Sequence, residues 1–216
     1  MKFLALLTFV FLFHNYAFSY QIKLEKVIDL EKPWGSSFIN KDTIVVTEKE
    51  GSIKLINIKT KQTNIISHNL NILVDGQGGL LDIIFKNDQV WVTYSENRGN
   101  RKTSTSIASG KFDKNKIKFK NIFQAEPPIQ SGYHFGSRLV IKDNQLYASL
   151  GERGKGMIAQ DSQKHPGSII RLNLDGSIPN DNPHFEDKKN WLPEIYQIGV
   201  RNPQGMSFSP FDNKIY

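Results

Sequence analysis

The chain has 216 residues, a formal net charge of +7 and no cysteine. Without cysteines it can form no disulfide and carry no cysteine nucleophile, so a folded domain must be stabilised by its own hydrophobic core. The excess of lysine and arginine favours anionic ligands, but no base-reading motif accompanies it, and we predict no nucleic-acid partner.

The N-terminus has the pattern of a secretory signal peptide. Lys2 supplies a positive charge, residues 3–13 are apolar apart from one threonine, and residues 17–19 offer small side chains where signal peptidase cleaves. A membrane anchor is the alternative, but the run is shorter than the about 20 apolar residues that span a bilayer. We therefore predict a signal peptide over residues 1–19, export to the periplasm, and a domain over residues 20–216 without stable membrane insertion.

The rest of the chain is predicted to be all-β. Short alternating runs bounded by Gly, Asn and Asp predict strand–turn–strand units in "TIVVTEKEGSIKLINI", "DIIFKNDQVWVTYSE", "TSIASGKFDKNKIKFKNIF", "SRLVIKDNQLYASLG", "GSIIRLNLDGSI" and "MSFSPFDNKIY". Turn pairs such as Asn87-Asp88 and Asp143-Asn144 suit tight hairpins, because Asn and Asp tolerate left-handed backbone. The lysine-rich run at residues 111–120 is predicted to be a solvated strand face.

A weak repeat indicates the architecture. An Asp/Asn turn followed by a strand recurs at "KDTIVVT", "NDQVWVT", "DNQLYAS" and "DNKIY", with intervals of 46, 56 and 69 residues between Ile44, Val90, Leu146 and Ile215. Such spacing suits the four-stranded blades of a β-propeller better than a sandwich, whose turns recur without a longer period. The chain ends part-way into another hairpin, so we expect about three blades and a truncated chain.

Three polar stretches carry candidate site residues. "DGQGGLLDI" presents Gln77 among glycines that let backbone approach a ligand, "SGYHFGSRLVIKDNQLYASLGERG" holds His134 with Glu152, and "GVRNPQG" sets Arg201 and Asn202 in a turn. Each has a plainer interpretation, namely a tight turn or a half-buried histidine at a strand end. A fourth polar stretch, "AQDSQKHPGSIIRLNLDGSIPNDNP", is interpreted as ending in a long loop.

Taken together these residues suggest chemistry assisted by a cofactor. There is no Walker loop, no dinucleotide glycine motif, no GxSxG elbow, and no zinc spacing among the histidines. His134 would act as a base, Arg201 as a fixed cation, and Gln77 and Asn202 as hydrogen-bond donors. That set lacks an electrophile, so a cofactor would carry the hard chemistry.

The family of the soluble PQQ-dependent aldose sugar dehydrogenases, the glucose/sorbosone dehydrogenase family, is resembled by a series of motifs, which are in chain order "EKPWGSSFINKDTIVVTEKEGSIKLI", "GQGGLLDI", "YHFGSRLV", "LYASLGERG", "AQDSQKHPGSIIRLNLDGSIPNDNP" and "PEIYQIGVRNPQGMSFSP". The resemblance implies a six-bladed β-propeller that binds PQQ and calcium and oxidises the anomeric C1 hydroxyl of aldoses to lactones. An external electron acceptor would then reoxidise the cofactor.

The resemblance also implies roles for the candidate residues. His134 would be the general base and Arg201 would stabilise charge on the quinone, while Gln77, Asn202 and Glu152 would contact the cofactor or, for Glu152, orient His134. Val200 departs from the family, which commonly has His there. No metal ligand is assigned in this chain, because the calcium site would lie beyond its end, and we expect the chain alone to be inactive.

Two other functions stay open from the sequence. A non-catalytic propeller that binds a carbohydrate or a protein would suit the basic charge and the export signal. A calcium-dependent lactonase would need carboxylates and amides that converge on one metal, and no such set is assembled from the sequence.

Overall fold

The computed structural model describes residues 22–216, so the signal peptide predicted for residues 1–19 lies outside the described residues. Within them the chain forms fifteen strands and one short 3-10 helix (Gly156–Gln160). Over the same range no helix is long and apolar enough to cross a membrane. The all-β prediction is therefore confirmed.

Three antiparallel sheets follow one another along the chain, and each has its strands in sequence order. The first blade consists of β1 (Pro33–Asn40), β2 (Thr43–Glu48), β3 (Ser52–Asn57) and β4 (Thr63–His68). The second consists of β5 (Leu80–Lys86), β6 (Gln89–Asn97), β7 (Thr103–Lys111) and β9 (Lys120–Gln124). The third consists of β10 (Gly136–Lys142), β11 (Gln145–Leu150), β12 (Ser168–Asn173) and β13 (Ile195–Ile198).

Two short features complete the topology. A two-residue strand, β8 (Lys116–Ile117), pairs in parallel with β4 and ties the second blade to the outer edge of the first. A last hairpin of β14 (Phe208–Ser209) and β15 (Lys214–Ile215) follows the third blade. Because β1 contacts β5, β5 contacts β10 and β10 contacts β14, the first strands of successive blades lie side by side. This is the arrangement of a β-propeller, not of two stacked sheets.

The blades are held together by apolar layers between neighbouring sheets. Alternate residues of β6 face opposite ways: Val90, Val92 and Tyr94 lie in the layer against the first blade, and Trp91 lies in the layer against the third. A strand that is covered on both faces reads as a nearly continuous apolar run, as "VWV" does here.

The repeat found in the sequence marks the second strand of each blade, β2, β6, β11 and β15. In each of the three complete blades, the last residue of the repeat motif is a buried Thr or Ser. Its hydroxyl accepts a hydrogen bond from a main-chain N–H in the first strand of the same blade. It donates a hydrogen bond to a main-chain oxygen of the segment that follows that blade on the inner side of the sheets. In chain order these hydroxyls are Thr47, Thr93 and Ser149, their N–H donors are Gly35, Asp82 and Arg138, and their acceptors are Leu81, Ser137 and Pro203.

The hairpin predictions hold with one exception. The turn pairs Asn87-Asp88 and Asp143-Asn144 both have positive φ, as predicted for tight turns. The strand predicted after Gly176 in "GSIIRLNLDGSI" is wrong: the chain turns there but leaves the sheet through residues 177–194 and returns as β13. In the run at residues 111–120 all the lysines are exposed, which confirms the solvated face, while Ile117 and Phe119 are buried beneath it.

Candidate active site

The predicted site residues lie in connecting segments at one end of the blades. Gln77 precedes β5 and His134 precedes β10, so both come just before an innermost strand. Glu152 follows β11, and Arg201 and Asn202 lie between β13 and β14. Since first strands begin and second strands end at the same end of an antiparallel blade, the fold brings all five residues together.

His134 and Glu152 form a buried pair. His134 Nδ1 makes a hydrogen bond with Glu152 Oε1, and the side chains are 13% and 5% exposed. The second carboxylate oxygen, Oε2, accepts the main-chain N–H of Gly156 at 2.9 Å. Burial pulls the pKa of Glu152 upward, but the hydrogen bonds from His134, Gly156 and Lys155 outweigh it and hold the pKa below its ordinary value. Glu152 is therefore an ionised partner that leaves Nε2 of His134 for a ligand.

The main chain of His134 is fixed on both sides. Its N–H donates to Gln77 Oε1 at 2.8 Å, and its carbonyl accepts the N–H of Arg153 at 3.2 Å. Its φ is +52°, a left-handed conformation that is uncommon for a residue with a side chain. Gly151 packs so closely against this carbonyl that a Cβ there would overlap it. Strained backbone of this kind concentrates at functional sites.

Arg201 and Asn202 follow β13, the last strand of the third blade, and lie next to the His134–Glu152 pair. The Arg201 carbonyl accepts the N–H of Glu152 at 2.8 Å, and its guanidinium Nε lies 4.0 Å from Glu152 Oε1 with a side chain that is 77% exposed. Asn202 Oδ1 accepts the N–H of Gly136 at 3.0 Å. The arginine is thus a solvent-facing cation beside the imidazole–carboxylate pair.

Arg138, which the sequence places near His134, does not join this group. Its Nη1 donates to the buried Asp82 carboxylate at 2.7 Å, its Nε donates to the Gln204 carbonyl at 2.9 Å, and its guanidinium lies 4.5 Å over the Trp34 ring. Burial raises the pKa of Asp82 despite the arginine and two main-chain N–H groups that lower it. Arg138 therefore links the third blade to the second and the first.

Tyr133 and Phe135, the two aromatic residues next to His134 in sequence, do not hold the imidazole between them. Tyr133 meets the imidazole edge-on at 6.2 Å between ring centroids and is largely exposed. Phe135 is buried and lies 3.7 Å beneath the guanidinium of Arg153. The imidazole is therefore held by Glu152 and not between two rings.

Sequence reasoning missed Arg153, a buried arginine next to Glu152. Its side chain donates to Tyr133 O, Thr103 O, Thr103 Oγ1 and Ser131 O. Burial lowers its pKa to about 10, although Asp75 and Glu152 oppose that shift. The only sequence signal was its position directly after Glu152 in "GERG".

A second histidine–glutamate pair has a different arrangement. His165 Nδ1 accepts the N–H of Glu126 at 2.8 Å, so its Nε2 carries the proton that faces Glu194 Oε1 at 2.8 Å. Both ring nitrogens are therefore occupied within the protein, and the ring packs edge-on against Phe123. This pair joins the second and third blades, whereas His134 keeps one nitrogen for chemistry. Across residues 22–216, no cluster of three or more His, Cys, Asp or Glu side chains is placed to hold a metal ion.

Comparisons with known proteins agree on one family. The family model described as glucose/sorbosone dehydrogenase matches residues 30–216. The chain is 32% identical over 197 residues to aldose sugar dehydrogenase YliI of Escherichia coli (strain K12), an alignment that covers 87% of this chain and 53% of that protein. It is 28% identical over 222 residues to quinoprotein glucose dehydrogenase B of Acinetobacter calcoaceticus, which covers 86% of this chain and 46% of that protein.

Among solved structures, a crystal structure of a glucose dehydrogenase superposes with a TM-score of 0.84 at 28% identity, over 88% of this chain and 58% of that one. The chain thus spans about half the length of the curated relatives it matches. The comparisons confirm the predicted β-propeller fold, of which residues 22–216 form three blades and one further two-stranded hairpin.

Proposed function

The chain belongs to the glucose/sorbosone dehydrogenase family, and from that premise we propose that it is part of a PQQ-dependent enzyme that oxidises the C1 hydroxyl of aldose sugars to lactones. The observation that carries the proposal is the His134–Glu152 pair, with Gln77, Arg201 and Asn202 around it. Export to the periplasm, calcium and an external electron acceptor belong to the same proposal. They rest on the sequence and on the resemblance.

The donor set fits a cofactor rich in carboxylate and quinone oxygens. The side-chain oxygens of Gln77 and Asn202 each accept a hydrogen bond from a main-chain N–H. The NH2 group of each side chain can therefore donate to a ligand. Arg201 adds a guanidinium whose nearest carboxylate contact is at 4.0 Å. These three residues would hold acceptor oxygens beside the imidazole of His134.

When bound, the quinone would accept the hydride that leaves C1 of the sugar. His134 Nε2 would take the hydroxyl proton, because Nδ1 is occupied by Glu152. The Glu152 carboxylate would keep the ring in this orientation and stabilise the imidazolium that forms. Arg201 would offset negative charge on the acceptor oxygens, an effect that is strongest when the cation is already in place.

The deciding experiment is sugar-dependent dye reduction with PQQ, calcium and a panel of aldoses, run on this chain and on the longest product of the same gene. We expect turnover in the longer product and its loss in His134→Ala, with PQQ binding retained. The chain alone is expected to be inactive.

Absence of turnover with every aldose, in a folded protein that binds PQQ or sugar, would contradict the enzyme proposal. It would favour the alternative of a propeller that binds a carbohydrate or a protein without catalysis. Turnover that survives His134→Ala would retain the enzyme class and remove the base from it.

A further inference from the structure

We propose that Arg153 is the positioning residue of this site: its buried guanidinium binds the His134 segment to the second blade, and its main-chain N–H holds the His134 carbonyl. The proposal rests on the proposed function, in which His134 is the base. It gives a role to Arg153, which is not among the site residues predicted from the sequence.

The first support is the placement of the four side-chain bonds. On one side, Nη1 and Nη2 donate to the carbonyl and hydroxyl of Thr103 at 2.9 and 2.8 Å, at the start of β7. On the other, Nε donates to Tyr133 O at 3.0 Å and Nη2 donates to Ser131 O. The planar guanidinium fork therefore joins a strand of the second blade to the loop that precedes β10, and a compact ammonium has no comparable span.

The second support is that these bonds enclose His134 itself. Ser131 and Tyr133 precede the histidine, and Phe135, which follows it, lies 3.7 Å under the guanidinium. With the Arg153 N–H on the His134 carbonyl at 3.2 Å, one residue contacts the loop before, at and after the base. The left-handed φ of His134 needs such restraint, because the conformation is unfavourable on its own.

The third support is the burial of a charge without a directly bonded carboxylate. Arg153 is 3% exposed, and among residues 22–216 its side chain donates to three carbonyls and one hydroxyl. A buried cation is costly, and a stabilising role alone is met as well by apolar packing. What carbonyl binding provides instead is geometry, since each N–H fixes the direction of one peptide.

The test follows the ring of His134 in the unliganded chain by NMR with 15N-labelled histidine, and His134→Gln assigns the signals. In the wild-type chain we expect one Nδ1–H tautomer with a strongly deshielded proton that reports the Glu152 bond. In Arg153→Lys we expect the signal of that proton to lose intensity and the 15N signals of the ring to become an average over the two tautomers. Thr103→Val, which removes one of the four acceptors, should give a smaller change in the same direction. This variant decides the question if Arg153→Lys does not fold.

Arg171→Lys is the matched control. Arg171 is 9% exposed and bonds Gln145 of β11 and Asp181 of the segment between β12 and β13, away from the site, so this substitution should lower stability and leave the His134 signals unchanged. In active protein Arg153→Lys should lower kcat by up to about a hundredfold with little change in KM, as expected when a reacting group is misplaced. Wild-type His134 signals in both Arg153→Lys and Thr103→Val would overturn the proposal. Because the signals are read without cofactor or sugar, failure of the proposed function would leave this result standing.

Discussion

Glu152 binds His134 through Oε1 and is itself fixed at Oε2 by the N–H of Gly156 at 2.9 Å. Neither oxygen of the carboxylate is free to rotate away, so the imidazole has one orientation available. This is the relationship that an acid–base site requires: the histidine is the group that reacts, and the carboxylate decides which nitrogen does so.

The first prediction concerns Glu152→Gln. The amide keeps the shape of the carboxylate but lacks the charge that stabilises imidazolium, and its NH2 group can face Nδ1 and invert the tautomer. In the longer gene product, in which we expect turnover, Glu152→Gln should lower turnover about a hundredfold, within the range of general-base effects, with KM for the sugar nearly unchanged. Glu194→Gln makes the same chemical change in the His165 pair and should leave turnover unchanged. Equal losses in the two variants would contradict a special role for Glu152.

The second prediction is a pH dependence of stability. The pKa of Glu152 is lower in the folded chain than its ordinary value of 4.5. The unfolded chain therefore binds the proton first, and the stability that Glu152 contributes is present above about pH 4.5 and lost as the pH falls through the folded pKa. Urea unfolding from pH 7 to pH 3 should show that the difference in free energy of unfolding between wild type and Glu152→Gln becomes smaller below pH 4.5. A difference that grows below pH 4.5 would mean that the folded chain raises the pKa of Glu152 and does not lower it.

The fold could be predicted from the sequence because strand alternation and blade spacing are local patterns. The turn pairs Asn87-Asp88 and Asp143-Asn144 were found by their chemistry alone. The strand after Gly176 was misplaced because an Asp-Gly turn predicts a reversal of the chain, not the partner that the next strand will meet. Partnering is a long-range property, and β13 returns after residues 177–194.

The site could be predicted in part for the same reason. His134, Gln77, Arg201 and Asn202 stand in glycine-rich turns, which sequence shows directly. The hydrogen bonds of Arg153 and Arg138 between blades could not be predicted. Their partners, Thr103 and Asp82, are 50 and 56 residues away in sequence. An arginine beside a histidine in sequence says nothing about which carboxylate it meets in space.

The third prediction concerns the hydroxyls that join neighbouring blades. Thr93 Oγ1 accepts from Asp82 N–H at 2.9 Å and donates to Ser137 O at 2.7 Å, and the side chain is fully buried. Thr93→Val would leave both main-chain groups buried without a partner, so the free energy of unfolding should fall by about 1–3 kcal/mol. Thr63→Val, at the exposed first residue of β4, should change the free energy of unfolding by less than about 0.5 kcal/mol. Chemical unfolding of the two variants checks the difference.

The fourth prediction concerns the close packing of Gly151. A Cβ there would overlap the His134 carbonyl and lie 2.9 Å from Gly136 N, both main-chain groups that cannot move independently of the base. Gly151→Ala should cost about 1–3 kcal/mol of stability and, in the longer gene product, lower turnover more than the loss of folded protein explains. Gly205→Ala has nothing within 4 Å of the new methyl group and should be neutral on both measures. Wild-type activity in folded Gly151→Ala would show that the base tolerates this displacement.

The fifth prediction separates a local cation from the general basic charge. Arg201 is 77% exposed and donates little to the protein itself, so Arg201→Gln should leave the unfolding midpoint unchanged. It should raise the Kd for PQQ about ten- to a hundredfold, because a charge-assisted hydrogen bond to an oxygen acceptor is worth about 1.5–3 kcal/mol. Lys118→Gln removes the same unit charge from the exposed lysine run and should change the Kd by less than about twofold at physiological salt, where distant surface charges are screened. Titration of PQQ absorbance against each variant gives the two constants. Equal weakening by both substitutions would mean that the net charge attracts the cofactor and that Arg201 does not bind it.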